Sequence, residues 1–425
     1  MGNDSNQCTV VYPFLKEKKI LITRNESLKN DEIYFNEFFR LIREYSEHCL
    51  TSNQNGMDKI YSSLKSLIFD YNKDKCIKRI LDHLVDDAVS NLEKLPNADV
   101  DNLYKKITYN KLNQGSPDYV YLKEKQMSLK EYILILFDWV NDIISYGDSI
   151  RSTKDKHELE TILEFQTTGA LLYHSEILRS VLSKVYSLVD DYERILYYLD
   201  NVSAHQRSLD LILKCLRQRK SEYGEIYKNI QWSFIEPIEN IVELNETPSF
   251  SFDKIWLACG LEDIEIKTDF KKDYIQDKFD SYDKNSELKT CLHSEIRMID
   301  YLIEQNIHEV HDKDVEIGIS KLPCYPCSLY IEQLNNKFKR NFYVGSPTSH
   351  GKIYPKWMFR KNEEDMIKNS VTNQLYIFLT NELKLLELRI RKKSGDSDHQ
   401  ETEIDDDAVN NEFIHLMVKQ KMKHQ

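Results

Sequence analysis

The first half of the chain carries apolar residues at helical spacing. In the segment 31–50, Tyr34, Phe38 and Ile42 fall on one face of a helix. The same spacing recurs in several later stretches, and it predicts a mainly α-helical N-terminal region over residues 1–245. Because nothing in this region suggests chemistry, we expect it to have a structural role or to bind a protein partner.

Local signals predict some of the limits of these elements. Ser128 and Glu131 form a capping box, and Gly147 is expected to end the helix that begins there. Strands are predicted over Lys18–Arg24 and around Val120, where β-branched and aromatic residues concentrate.

After residue 245 the helical pattern gives way to alternating helices and strands. A helix begins near His293, and the apolar run "EIGISK" reads as a buried strand. A helix, the short strand "FYVGS" and a long helix from Glu363 to about Lys392 follow. This alternation predicts an α/β domain over residues 246–393. The acidic segment 394–425 is predicted to be disordered, with a short terminal helix.

Composition narrows the class of protein. Only 11 glycines occur in 425 residues, which disfavours glycine-rich cofactor folds. A net charge of −12 disfavours nonspecific binding of polyanions by the chain as a whole. The sequence shows neither a secretory leader nor an apolar run long enough for a membrane span. Six of the eight cysteines are isolated, so we expect an intracellular protein, cytoplasmic or nuclear.

Cys324 and Cys327 form the one close cysteine pair, and each follows a proline. Pro323 ends the predicted strand, which places both thiols in the first turn of the next helix. Free amide hydrogens and the helix dipole favour thiolate there. Two thiolates cannot complete a tetrahedral zinc site, and a catalytic zinc needs a third protein ligand and one open position.

A His-x-Glu pattern could supply this ligand together with a free carboxylate. It occurs at His174 and Glu176, at His293 and Glu295, and at His399 and Glu401. His174 is interpreted as a polar position in the middle of a helix, and His399 lies in the acidic tail. His293 begins an apolar helix, where residues two apart can reach one site because the first is not yet helical. The sequence thus predicts Zn²⁺ bound by His293, Cys324 and Cys327, with Glu295 unligated.

Two other interpretations of the cysteine pair stay open. A structural zinc site would need a fourth ligand, for which His350 and Cys291 are available, and it would leave Glu295 without a role. A thiol–disulfide pair would not require His293 and Glu295 at all.

The order H-x-E followed by P-C-x-x-C is the signature of zinc-dependent nucleobase deaminases. The stretches "HSEIRMIDYL", "IGISKLPCYPCSLYI" and "FYVGSPTSHGKIYPKW" resemble the cytidine-deaminase-like superfamily, and most of all the OTT-type deaminases of fungi and some intracellular bacteria. The resemblance implies a three-layer α/β/α domain with a mixed sheet. It covers about seventy residues with specific motifs. The first two strands of that sheet are not located; the charged segment "EDIEIKTDF" is a poor candidate for one of them.

The resemblance also implies roles for individual residues. His293, Cys324 and Cys327 would bind zinc, and Glu295 would shuttle protons. Ser320 and Lys321 would either line the pocket or simply end the strand.

The loop after the last short strand mixes cations with aromatic rings, a combination that suits a nucleotide or a single strand. His350, Lys352 and Trp357 are therefore predicted substrate contacts, although Trp357 could equally be a core residue. The stretch "GSPTSHGKI" fails as a P-loop, because its glycine spacing is wrong and Ile353 replaces the Ser/Thr.

The sequence thus predicts a zinc-dependent hydrolytic deaminase that acts on a nucleobase in a nucleotide or nucleic acid. The alternative is an inactive deaminase-fold module that holds zinc and serves as a scaffold for a protein partner.

Overall fold

The computed structural model describes most of the chain, with gaps between elements. The described residues are 8–26, 30–83, 92–107, 116–152, 159–186, 189–244, 247–258, 287–307, 314–344, 349, 351–354 and 356–395. His350, "EDIEIKTDF" and everything from residue 396 onward, including the predicted terminal helix, lie outside them.

Two compact units divide the chain. One unit comprises residues 1–29 and 231–425, and the other comprises residues 30–230. The second unit is therefore inserted into the sequence of the first. The boundaries predicted at residues 246 and 394 remain predictions.

The inserted unit is helical. Its helices are α1 Asp31–Thr51, α2 Gln54–His83, α3 Val100–Lys106, α4 Pro117–Lys125, α5 Leu129–Ser152, α6 Leu159–His174, α7 Glu176–Val185, α8 Val189–Gln218 and α9 Lys220–Lys228. Apolar faces of α5 to α8 form its core, to which Ile133, Phe165 and Leu199 contribute fully buried side chains.

The flanking unit contains the strands and the remaining helices. Its strands are β1 Thr9–Phe14, β2 Lys19–Arg24, β3 Gln231–Ile235, β4 Glu239–Glu243, β5 Glu287–Cys291, β6 Asp314–Ile319 and β7 Asn341–Val344. Its helices are α10 Pro248–Ala258, α11 Ser294–Glu304, α12 Tyr325–Phe338 and α13 Asp365–Gly395.

Five of these strands form one mixed sheet in the order β3-β2-β1-β6-β7. β1 is antiparallel to β2 and to β6, whereas β2 pairs in parallel with β3 and β6 pairs in parallel with β7. β4 and β5 form a separate antiparallel pair. The mixed sheet in a C-terminal domain, together with the helical region before it, confirms the predicted fold class.

The strands that the sequence left unplaced come from the N-terminus. Val10 and Tyr12 are buried at alternate positions of β1, and Leu21 and Ile22 are buried in β2. A 3-10 turn, Leu15–Glu17, links the two strands, and Lys18 ends it in the left-handed conformation with φ of 51°. The strand predicted over Lys18–Arg24 is thus confirmed, and it belongs to the same sheet as β6.

Several local predictions for the inserted unit need correction. The strand predicted around Val120 is wrong: α4 begins there because Ser116 caps it through Tyr119 N and Pro117 occupies the first turn. The capping box at Ser128 and Glu131 is confirmed, with Ser128 N donating to Glu131 Oε2 at 2.8 Å.

The predicted end of that helix is wrong, since α5 continues through Gly147 to bury Ile150. The prediction for His174 is also wrong, since this residue ends α6 and does not lie in the middle of a helix. Among the described residues, none of the helices combines the length and apolar character that crossing a bilayer requires.

Candidate metal centre

α11 begins where the sequence predicts, and His293 is its N-cap. His293 has φ of −59° and ψ of 145°, outside the helical region, and its carbonyl accepts the first helical bond from Arg297 N at 2.8 Å. Ile296 and Ile299 bury the apolar face of the helix in the core of this unit. The imidazole is therefore fixed at a buried helix start, 5% exposed.

The second helix start belongs to the cysteines. Cys324 is the N-cap of α12, with φ of −70° and ψ of 163°, and Pro326 lies in the first turn. Cys324 O accepts from Ser328 N at 3.0 Å, and Tyr325 N donates to Lys352 O at 3.0 Å. Cys327 lies in the first turn, as predicted, whereas Cys324 precedes that turn as the cap, and both thiols are buried.

The two helix starts bring His293, Cys324 and Cys327 together. His293 Nδ1 lies 3.5 Å from Cys324 Sγ and 3.5 Å from Cys327 Sγ. All three ligand atoms lie within 4.8 Å of one another. Zinc bonds of about 2.3 Å to sulfur and 2.0–2.1 Å to nitrogen, at a tetrahedral angle, place the S and N atoms about 3.5 Å apart. The donor set and its spacing therefore fit zinc.

The electrostatics of the group favour a thiolate. A hydrogen bond with Cys327, aided by His293, lowers the pKa of Cys324 to about 5 against the effect of burial. Burial acts to lower the pKa of His293, but the Cys324 sulfur outweighs it and the pKa is raised. Burial raises the pKa of Cys327. The imidazole and the Cys324 sulfur thus attract each other before any cation is considered.

Glu295 lies one residue inside the same helix start and is 3% exposed. Burial raises its pKa to about 7, partly opposed by His293. It is not one of the three residues that group as potential ligands. A buried carboxyl group with such a pKa can both accept and donate a proton near neutral pH.

The N-terminal hairpin supports the His293 end of the site, which the sequence did not reveal. Ser294 N donates to Asn25 Oδ1 at 2.8 Å, and Ser294 Oγ donates to Cys8 O at 3.2 Å. Burial and the charge of Glu295 raise the pKa of Cys8 to about 11. Cys8 and Asn25 lie at the two ends of the hairpin. Because both are far from Ser294 along the chain, no local sequence pattern could predict these contacts.

Tyr354 is a further neighbour of the site. Its ring centroid lies 6.1 Å from that of His293. Burial raises the pKa of Tyr354, and Cys324, Cys8 and Glu295 add to the shift. The sequence placed Tyr354 in a basic, aromatic stretch but did not single it out.

The predicted substrate contacts occupy different settings. Ser320 ties the end of β6 to β1, since Thr9 N donates to Ser320 Oγ and Ser320 N donates to Thr9 O, each at 2.9 Å. Lys321 follows directly, and its carbonyl accepts from Cys8 Sγ at 3.9 Å. Lys352 is exposed beside the start of α12.

Trp357 is partly buried and packs against the core of this unit. Its ring meets Tyr330 edge-on with centroids 5.8 Å apart, and the nearby indole acts to lower the pKa of the Cys327 thiol. Both the core interpretation and a place beside the metal ligands thus describe Trp357. Cys291 is buried but lies outside the group of three ligands.

Comparisons with known proteins address the same segment. A family model described as an OTT_1508-like deaminase matches residues 292–361. Neither curated proteins nor solved structures give a match to the chain. The matched residues contain both helix starts and all three potential ligands. Residues 292–361 are therefore similar to the OTT_1508-like deaminases, a cytidine-deaminase-like family.

Proposed function

We propose that the chain is a zinc-dependent hydrolytic deaminase that acts on a nucleobase in a nucleotide or a nucleic acid. One observation carries the proposal: a buried His–Cys–Cys group with zinc-compatible spacing has a buried, unligated carboxyl group two residues from its histidine. Three protein ligands that leave one corner open are typical of catalytic zinc and not of structural zinc.

In this proposal, His293 Nδ1 and the two sulfur atoms hold the metal. When bound, zinc supplies Lewis-acid activation of a water molecule at the open corner. Glu295 takes a proton from the water on a carboxylate oxygen and delivers it to the ring nitrogen of the base. The water oxygen would bond to the carbon that bears the amino group. The same carboxyl group would then pass the second water proton to the amino nitrogen as the C–N bond breaks, which releases ammonia. Its pKa of about 7 suits both transfers at neutral pH.

The substrate class rests on the surroundings of the site. Lys352 and Lys356 are exposed, and Tyr354 is partly exposed close to His293. Cations and an aromatic ring within one short segment suit a phosphate and a base. Arg360 does not contribute to this surface, because its side chain is 10% exposed and paired with acids.

Ser320, Lys321, His350, Lys352 and Trp357 remain proposed substrate contacts. A protein partner for the helical region likewise remains a proposal.

An ammonia-release screen tests the proposed function. Cytidine, adenosine, their nucleotides and short single strands of DNA and RNA are each incubated with the zinc-loaded chain. We expect release from at least one of them, and we expect Glu295→Gln to retain zinc but lose turnover. Tight zinc binding with no release from any substrate would support the inactive scaffold instead. Full turnover by Glu295→Gln would overturn the assigned mechanism.

A further inference from the structure

A buried network of charges lies in the flanking unit and includes none of the three potential metal ligands. Its centre is Glu363, whose side chain has no exposed surface. Glu363 accepts from Tyr330 Oη through a short hydrogen bond, from Arg360 Nε at 3.0 Å and from Lys337 Nζ at 3.2 Å. Burial opposes its ionisation, yet the bonds from Tyr330 and the Glu364 amide outweigh burial and lower the pKa of Glu363.

Arg360 connects this centre to another helix. While its Nε contacts Glu363, its Nη1 donates to Asp300 Oδ1 at 3.1 Å. Arg360 and Asp300 are 10% and 9% exposed at their side chains, so the pair is shielded from solvent. Tyr330 Oη also accepts from Arg360 N at 3.4 Å. One guanidinium group thus joins partners on separate elements.

Two members of this network, Asp300 and Tyr330, lie on the two helices whose starts carry the potential metal ligands, and Glu363 joins Tyr330 to Arg360. Asp300 belongs to α11 and follows its N-cap, His293, by seven residues, which is about two turns. Tyr330 belongs to α12 and follows Cys327 by three residues, a spacing that places both on one face. Trp357 lies beside this face, since its ring packs against Tyr330 and its indole is near enough to Cys327 to influence the pKa of that thiol.

We propose that Arg360 is a positioning residue, which holds α11 and α12 at the separation that lets His293 and the two cysteines share one metal ion. This inference rests on the proposed function, because it assigns the residue that sets the geometry of the proposed zinc site. Arg360 contacts neither the ligands nor the substrate in this account and acts only through the two helices.

The fork of the guanidinium group is essential to this role. Two of its nitrogen atoms bind Glu363 and Asp300 at the same time in a fixed geometry. A lysine ammonium keeps the charge but is a single point on a flexible stem. Arg360→Lys should therefore leave the charge balance intact while loosening the distance between the helices.

The test measures zinc affinity and unfolding on the full chain. Zinc affinity is obtained by competition with a chromophoric chelator, and thermal midpoints are recorded with and without zinc. We expect Arg360→Lys to weaken zinc binding by about tenfold, the range seen when partners behind metal ligands are changed. Lys368→Gln is the matched control, since it removes an exposed ion pair with Asp365 in the adjoining helix, and it should leave zinc affinity unchanged.

The outcomes separate a positioning role from a stabilising one. Because the stabilisation that a ligand gives the folded state grows with the logarithm of its affinity, the zinc-induced rise in midpoint should shrink in Arg360→Lys. Native zinc affinity in Arg360→Lys, with midpoints lowered equally in both states, would overturn the inference. If that variant does not fold, Asp300→Asn is measured, and it should weaken zinc binding in the same direction. A native chain that binds no zinc would contradict the proposed function itself.

Discussion

The tetrapeptide HSEI occurs twice in the chain, at residues 174–177 in the inserted helical unit and at residues 293–296 in the flanking unit. In the first copy, His174 ends one helix and Ser175 caps the next, accepting from Leu178 N at 2.9 Å. In the second copy, His293 is itself the cap and Ser294 is already helical. The helix start thus differs by one residue between the two copies, so the histidine precedes the cap in the first copy and is the cap in the second.

The surroundings of the two histidines differ even more. His174 is exposed, and partial burial of its ring together with Arg207 lowers its pKa. His293 is buried, and the adjacent Cys324 sulfur raises its pKa. Cations surround one imidazole and sulfur atoms surround the other. In the proposed function, the same four residues therefore carry chemistry only where the tertiary structure supplies further potential ligands.

The largest effect that could break this comparison is on metal binding. His293→Ala should weaken zinc affinity by more than about 100-fold, since it removes a ligand and not merely a supporting contact. His174→Ala should leave the affinity unchanged. Chelator competition on both variants measures this directly. Equal losses in the two variants would show that the copy in the helical unit binds the metal as well.

The two serines should differ in what they stabilise. Ser294→Ala leaves the buried Cys8 carbonyl without its 3.2 Å partner, which costs about 1–3 kcal/mol of unfolding free energy. Ser175→Ala removes a helix cap at a cost of about 1 kcal/mol.

Urea denaturation with hydrogen exchange assigns each loss to a unit. We expect Ser294→Ala to destabilise the flanking unit and Ser175→Ala to destabilise the inserted unit. Both losses in one unit would contradict the assigned contacts.

The smallest effect concerns pH. Since the pKa of His174 is lower in the folded chain than its ordinary value of about 6.5, the unfolded chain binds the proton more readily. Above about pH 6.5 His174 therefore costs the folded chain nothing, and below that pH its protonation lowers the free energy of unfolding. His174→Asn should make the helical unit less sensitive to pH between 6.5 and 5, measured by denaturant midpoints. An unchanged pH dependence would show that this imidazole is not perturbed.

Local signals in the sequence predicted the two helix starts, whereas long-range strand pairing left no signal. The apolar helix after His293 and the proline before Cys324 fix the two helix starts, so both ligand positions followed from short segments. β1 and β2 pair with strands that lie beyond the inserted helical unit, as in the register Val10 with Ile319. Strand pairing across such a distance leaves no periodicity in the sequence, which is why the hairpin's place in the sheet was missed.

The roles of the basic residues were equally hidden. Arg360 belonged to a run of cations and aromatics that suggested a binding surface, but Asp300 and Glu363 draw it into the interior.

The wrong strand prediction around Val120 has a different cause. There the Ser-Pro pair at Ser116 was a valid helix start, and the aromatic and β-branched residues after it outweighed that signal.

Zinc-edge X-ray absorption on the purified full-length chain tests the central claim most directly, because it counts the atoms around the metal. We expect two sulfur atoms at about 2.3 Å, one imidazole nitrogen at about 2.0–2.1 Å and one light atom that exchanges with solvent. His293→Ala should lose the imidazole signal, and His174→Ala should keep it. A shell filled by four protein donors, or a chain that retains no zinc, would contradict the account.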